Sequence, residues 1–120
     1  MRLKKIILIC ALFALLSWSS PPMSKRDRAL EGIFFTLLIV DWGQTRSIVR
    51  DDDFKELNFI LGPEPNLEAV DLYFLSCALS HLLITRALPE KYRPYWQVVY
   101  IGMEANQVFQ NHQMGIRVEF

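Results

Sequence analysis

GIFFTLLIVDWGQTRSIV (residues 32–49) opens as an apolar run broken only by Thr36, then sets Asp41, Gln44, Thr45 and Arg46 into its second half. The stretch is too long for an ordinary strand and has no Gly/Pro cluster to break it, so it reads as a helix. On a helix Asp41 and Thr45 stand one turn apart on one face, with Gln44 beside them. Such a helix has the length to enter lipid, yet a carboxylate at its centre costs on the order of 3 kcal/mol on insertion scales. The segment therefore fits a membrane only if Asp41 points at other protein.

Two more segments of the same kind follow. The charged SKRDR precedes the first helix, expected over 29–49, and RDDDFKE ends it. The second, 69–88, follows GPEPN, where Pro63 and Pro65 block helix continuation and Asn66 is an N-cap, and it closes at Pro89. The third, 95–112, has Pro94 near its first turn and Gly115 just past its end. Each runs about 18 to 21 residues, enough to cross a bilayer. The expected fold is all-α: a small membrane helical bundle of three main helices over residues 23–120.

Residues 1–22 form a signal-like or anchor segment. MRLKK is a basic start, IILICALFALLSW an apolar stretch of signal-peptide length, and SWSS offers small residues for cleavage. Pro21 and Pro22 crowd that cut, which leaves a retained anchor and a start at Met23 as alternatives. Loop charges bear on the choice. With Lys25, Arg26 and Arg28 on the cytoplasmic side, Arg86, Lys91 and Arg93 join them and RDDDFKE falls outside, as the positive-inside tendency requires. A cleaved signal peptide would send both basic clusters outward. A multi-pass protein of the bacterial inner membrane is the expected localisation, with an exported soluble periplasmic bundle as the alternative.

Lys plus Arg and Asp plus Glu number 13 each, so no net field draws in nucleic acid or another polyanion. Cys10 and Cys77 lie in apolar segments without CxxC or Cys/His spacing and read as small hydrophobes. The implied surroundings are the lipid bilayer and a membrane-protein partner.

Each helix carries one narrow polar stripe: Asp41, Gln44 and Thr45 on the first; Cys77, His81 and Thr85, with Ser80 alongside, on the second; Gln97, Tyr100, Glu104, Gln107 and Asn111 on the third. Packing the stripes against one another buries a polar cluster of Asp41, Gln44, Thr45, His81, Glu104, Gln107 and Asn111 and leaves the apolar faces outward. Within that cluster Asp41, His81 and Glu104 are candidates for a divalent-metal or proton-handling site, since two carboxylates and an imidazole suit either. Interhelical hydrogen bonding, at about 0.6 kcal/mol per contact, accounts for the same residues without chemistry. His112, near the end of the third helix, suits the helix dipole. Trp42, Tyr92, Tyr95, Trp96 and Tyr100 near helix ends fit an interfacial belt or core packing. ELNFILG (residues 56–62), with Asn58, is expected to cap the bundle, and the alternating tail MGIRVEF is too isolated to belong to a barrel. No HExxH, Walker, GxSxG or GxGxxG motif is present, which weighs against the matching enzyme classes.

The order DWGQT, ELNFILG, YFLSCALSH, LPEKYRPYWQ, IGMEANQVFQN and GIRVEF resembles a family of small bacterial and phage-associated membrane proteins of unknown function, over residues 29–120. Its relatives carry Asn-Pro-Ile-Leu-Gly in the loop, where this chain has Phe59 at the proline position. The resemblance implies a compact multi-helix membrane protein and no particular activity. Three functional expectations follow: a structural or interaction bundle, a membrane-embedded metal or proton site, and a phage-type lysis protein.

Overall fold

The computed structural model describes residues 7–9, 11, 12, 15, 21–51, 60–62 and 64–120. Three helices make up the bundle: α1 (Lys25–Arg50), α2 (Leu67–Ala87) and α3 (Arg93–Gln113). Residues 7–9, 11, 12 and 15 are also helical, and their side chains are exposed. No strand occurs among the described residues, the alternating tail included. The all-α expectation holds. Cys10 and Asn58 lie outside the described residues.

Local chemistry sets the helix ends. α1 starts four residues before the expected Ala29 because Ser24 and Asp27 form a capping box: the Asp27 amide donates to Ser24 Oγ at 3.1 Å, and the Ser24 amide donates to Asp27 Oδ2 at 3.1 Å. The charged SKRDR, read from sequence as a flank, is thus the first turn. Asn66 caps α2 by accepting from the Ala69 amide at 2.7 Å, and Pro94 occupies the first turn of α3. α3 stops at Gly115, whose φ of +80° lets the Ile116 amide turn back to the Asn111 carbonyl at 3.0 Å.

The helices run up, down and up. α1 is central: both α2 and α3 pack on it, while α2 and α3 touch each other little. Its buried line reads Asp27, Glu31, Phe34, Leu38, Asp41, Thr45, Ile48, alternating steps of four and three. Among the described residues Phe34, Leu38, Val70 and Phe74 form a small buried apolar core, with half-buried Phe35, Trp42, Tyr73 and Tyr100 packed against it. Apart from Ile48 and Ile116, the other buried side chains among the described residues are mostly polar, including Asp27, Glu31, Gln44, Thr85, Arg93, Gln97 and Asn111. Large apolar side chains meanwhile face out: Ile33 and Ile39 on α1, Leu72, Leu75 and Leu79 on α2, Val98, Val99, Met103 and Phe109 on α3. Ordinary water-soluble domains sort these residue types the other way.

One described helix, α2, is long and apolar enough to cross a membrane. Just 17% of its most apolar 18-residue window is buried, so it differs from the core helix of a globular protein.

Candidate functional site

The polar interior divides into two networks along α1. The first joins the start of α1 to the end of α2 and the start of α3. Arg93 is fully buried and uses all five N–H groups. Nη1 donates to Asp27 Oδ2 at 3.0 Å and to the Pro22 carbonyl at 3.4 Å. Nη2 donates to the carbonyls of Pro21 at 2.9 Å and Arg86 at 3.2 Å, and Nε to that of Leu88 at 3.0 Å. Arg93 thereby caps the carbonyl end of α2 with positive charge. It also ties in Pro21 and Pro22, two residues that the sequence reading had placed in the leader-like segment. Burial pushes the Asp27 carboxyl up, but the Ser24 amide, Arg93, the Ser24 hydroxyl and Arg26 outweigh it and hold Asp27 below the usual carboxylate range.

One turn along, Glu31 receives His81 Nδ1, with Gln97 Nε2 at 3.3 Å and Thr85 Oγ1 at 3.2 Å from its Oε2. Gln97 also donates to the Asp27 carbonyl at 2.8 Å, linking Glu31 to the Arg93 cluster. The imidazole stacks nearly parallel on Phe34, with centroids 3.7 Å apart and 20° between planes, and on Trp96 at 5.2 Å and 22°.

The second network surrounds Asp41. Asn111 Nδ2 donates to Asp41 Oδ1 at 3.2 Å and to Gln44 Oε1 at 3.1 Å, and Gln44 Nε2 donates to the Val108 carbonyl at 3.2 Å. Glu104 hydrogen-bonds to Asp41 and also interacts electrostatically with His81. A hydrogen bond between two carboxyl groups needs a proton on one, so the pair carries at most one negative charge.

The structure thus brings six of the seven candidate residues inward. Asp41, Gln44, Thr45, His81 and Asn111 are buried and Glu104 is half-buried. Gln107 is a correction: it is exposed, donating to Asn111 Oδ1 at 3.0 Å from the flank, while half-buried Val108 takes the inward position. With 3.6 residues per turn the inward line passes between positions 107 and 108, and Val108 is the more buried of the two. His81 also departs from expectation, because its direct carboxylate partner is Glu31 and not Asp41 or Glu104. Among the described residues no group of three His, Cys, Asp or Glu side chains is arranged to hold a metal ion. His112 is the basic residue of the last turn of α3, and Cys77 is a free thiol.

Sequence reasoning overlooked Asp27, Glu31 and Arg93. The signal for the two acids was present: continuing the steps of three and four backwards from Thr45 and Asp41 through Leu38 and Phe34 reaches Glu31 and then Asp27.

Phe34, His81, Trp96, Tyr100 and Glu104 also border a cavity of ≈ 340 Å³ between α2 and α3. Its volume lies at the small end of ligand sites, about 300–1,000 Å³. No protein-family model matches this chain, and no curated protein or solved structure matches it either.

Proposed function

We propose that the protein is an integral membrane helical bundle that serves as a structural or interaction element, held together by polar contacts inside and lipid outside. The observation that carries this reading is the inverted partition: buried Asp27, Glu31, Asp41, His81, Arg93 and Gln97 against exposed Leu72, Leu75, Leu79, Val98, Val99 and Phe109. Lipid does not drive apolar faces together, so helices associate there through packing and interhelical hydrogen bonds. At 1.5 Å per residue, α2 and α3 are about 32 Å long and α1 about 39 Å, against a hydrocarbon core of about 30 Å. The ends of α1 therefore reach into headgroups and water, and its spanning part is the apolar run 29–49. Lys25, Arg26, Arg28, Lys91 and Arg93 gather at one end of the bundle, which the positive-inside tendency assigns to the cytoplasm.

Alkaline extraction with topology reporters tests the reading. The chain is expected to stay in the carbonate-washed membrane, with a reporter after Glu90 cytoplasmic and reporters after Arg50 and Phe120 on the opposite side. Release into the wash, or Arg50 and Glu90 reporting from one side, would overturn it.

A second reading, proton handling, is favoured by the Asp41–Glu104 carboxyl pair and its electrostatic link to His81. In proteoliposomes carrying an internal pH dye, an imposed gradient then collapses faster with the native chain than with Glu104→Gln. Equal rates would dismiss this reading.

A further inference from the structure

α3 carries two stripes. One turns inward through Gln97, Glu104 and Asn111. The other lies two residues further on, about 200° around the helix, and so faces away from α1. It reads Tyr95, Val99, Gly102, Asn106, Phe109 and Gln113, in steps of four, three, four, three and four, and all six are exposed. Such a repeat is the seam of a coiled coil, with Val99, Asn106 and Gln113 at the a positions and Tyr95, Gly102 and Phe109 at the d positions.

Asn106 does not suit lipid. With Arg93 at the headgroups it stands about 20 Å along α3, well inside a hydrocarbon core of about 30 Å. A hydroxyl at such a depth can bond its own helix, as Thr36 does by donating to the Gly32 carbonyl at 2.8 Å. A carboxamide has two donors and an acceptor to place, and bare hydrocarbon offers them nothing. Asn and Gln side chains in spanning helices accordingly bond to a neighbouring helix. Gly102, one turn before Asn106, is a separate indication. A mid-helix glycine weakens a helix relative to alanine, yet a Cβ added here would meet nothing within 4 Å in the chain itself. What the missing side chain permits is the close approach of a second backbone from outside.

The occupant that this face fits is a second copy of the chain. Copies inserted with one topology run parallel, and about a twofold axis each a or d residue meets itself. That symmetry demands self-complementary side chains. A carboxamide is one, because each amide donates to the carbonyl oxygen of the other. No Asp, Glu, Lys or Arg is exposed between Tyr95 and Gln113, so no like charges are set against one another. β-Branched Val99 at an a position favours two strands, and a single Asn in the seam fixes their register.

We propose that α3 joins two copies of this protein in a parallel homodimer, with Asn106 bonded to the partner subunit's Asn106 and Gly102 packed on the partner subunit's Gly102. The inference rests on the membrane reading above and names the partner that an interaction bundle takes. Phe109 then exchanges lipid for a protein contact and stays out of water.

The test uses the full chain in phosphatidylcholine vesicles, with both native cysteines replaced by alanine. Val99→Cys, Phe109→Cys, Leu75→Cys and Leu79→Cys are oxidised one at a time, and covalent dimers are quantified on a gel. Crosslinking is expected at the two α3 positions and not at the two α2 positions. Energy transfer between donor- and acceptor-labelled copies, with the fluorophores on Glu64→Cys, then measures association as the protein is diluted in lipid. Asn106→Leu is expected to weaken association about threefold to tenfold, the effect of one or two interhelical hydrogen bonds, and Gly102→Leu to weaken it further. Crosslinking on α2 with none on α3 would overturn the proposal. So would energy transfer that is absent at every protein-to-lipid ratio, or that neither substitution alters. If a substitution disturbs the helix content seen by circular dichroism, the crosslinking pattern decides alone. Carbonate extraction of the same vesicles separates the two levels: release would end the membrane reading and this inference together, whereas retention of a chain that does not self-associate would sink only the dimer.

Discussion

Arg93 shows what one interior charge does in this protein. A guanidinium buried with an aspartate is tolerable only when every donor is used, and here Asp27 and four carbonyls use them all. Arg93→Met leaves Asp27 and those carbonyls inside without a partner. It is expected to destabilise the bundle by about 3–5 kcal/mol, the cost of removing one side of a buried ion pair, read from denaturant unfolding in mild detergent. Unchanged stability would mean that Arg93 is solvated. Asp27 carries a pH dependence of known sign. Its carboxyl is held below the ordinary value of 3.8 in the folded chain, so its stabilisation is complete above that value and fades as pH falls through the lower, folded one. Acid unfolding of Asp27→Asn is expected to lack that component, and an acid limb identical to that of the native chain would contradict the assignment. Neither residue stood out in the sequence. A charged SKRDR beside an apolar run reads as a membrane flank, and only the capping box, a relation between Ser24 and Asp27, turns it into the first turn of α1.

Among the elements, α1 organises the rest, and its second half seats the C-terminal tail. The Glu119 amide donates to the Gly43 carbonyl at 3.0 Å, and Phe120 sits edge-on to Trp42 with centroids 5.5 Å apart. A Cβ on Gly43 would lie 2.4 Å from Val118 Cγ1 and 3.0 Å from the Phe120 ring. Gly43→Ala is therefore expected to lift the tail while leaving helix content intact. Hydrogen exchange at the Glu119 amide should quicken about tenfold, the loss of one hydrogen bond, and unaltered protection would show that the tail adapts in place. The Trp42 indole donates to Asp71 Oδ1 at 2.8 Å, and Arg46 pairs with the same carboxylate, which pins α1 to the start of α2. Hydrophobic periodicity made all three helices legible, along with the Asn66 cap, Pro94 and Gly115. It fell short where two neighbouring positions straddle the inward line: Gln107 and Val108 differ by one step, and a stripe read in steps of three and four does not say which of them is buried. The pairing of His81 with Glu31 was equally beyond periodicity, because it depends on α1 and α2 running antiparallel in one register.

For the whole molecule, the inverted distribution of polar and apolar residues is the property from which the other readings descend. In water, exposed Leu72, Leu75 and Leu79 would form part of an apolar face wide enough to drive association. In lipid the same face is ordinary, and the hydrogen-bonded interior supplies the cohesion. Spin-label accessibility in reconstituted bilayers measures this most directly. Nitroxides are placed one at a time at Leu75, Val98 and Phe109, and at the polar position Glu64, on a chain whose two cysteines are replaced by alanine. The three apolar positions are expected to collide with dissolved oxygen far more than with a water-soluble nickel chelate, and Glu64 to show the reverse. Nickel collisions dominating at Leu75, Val98 and Phe109 would place those faces in water and contradict the membrane bundle.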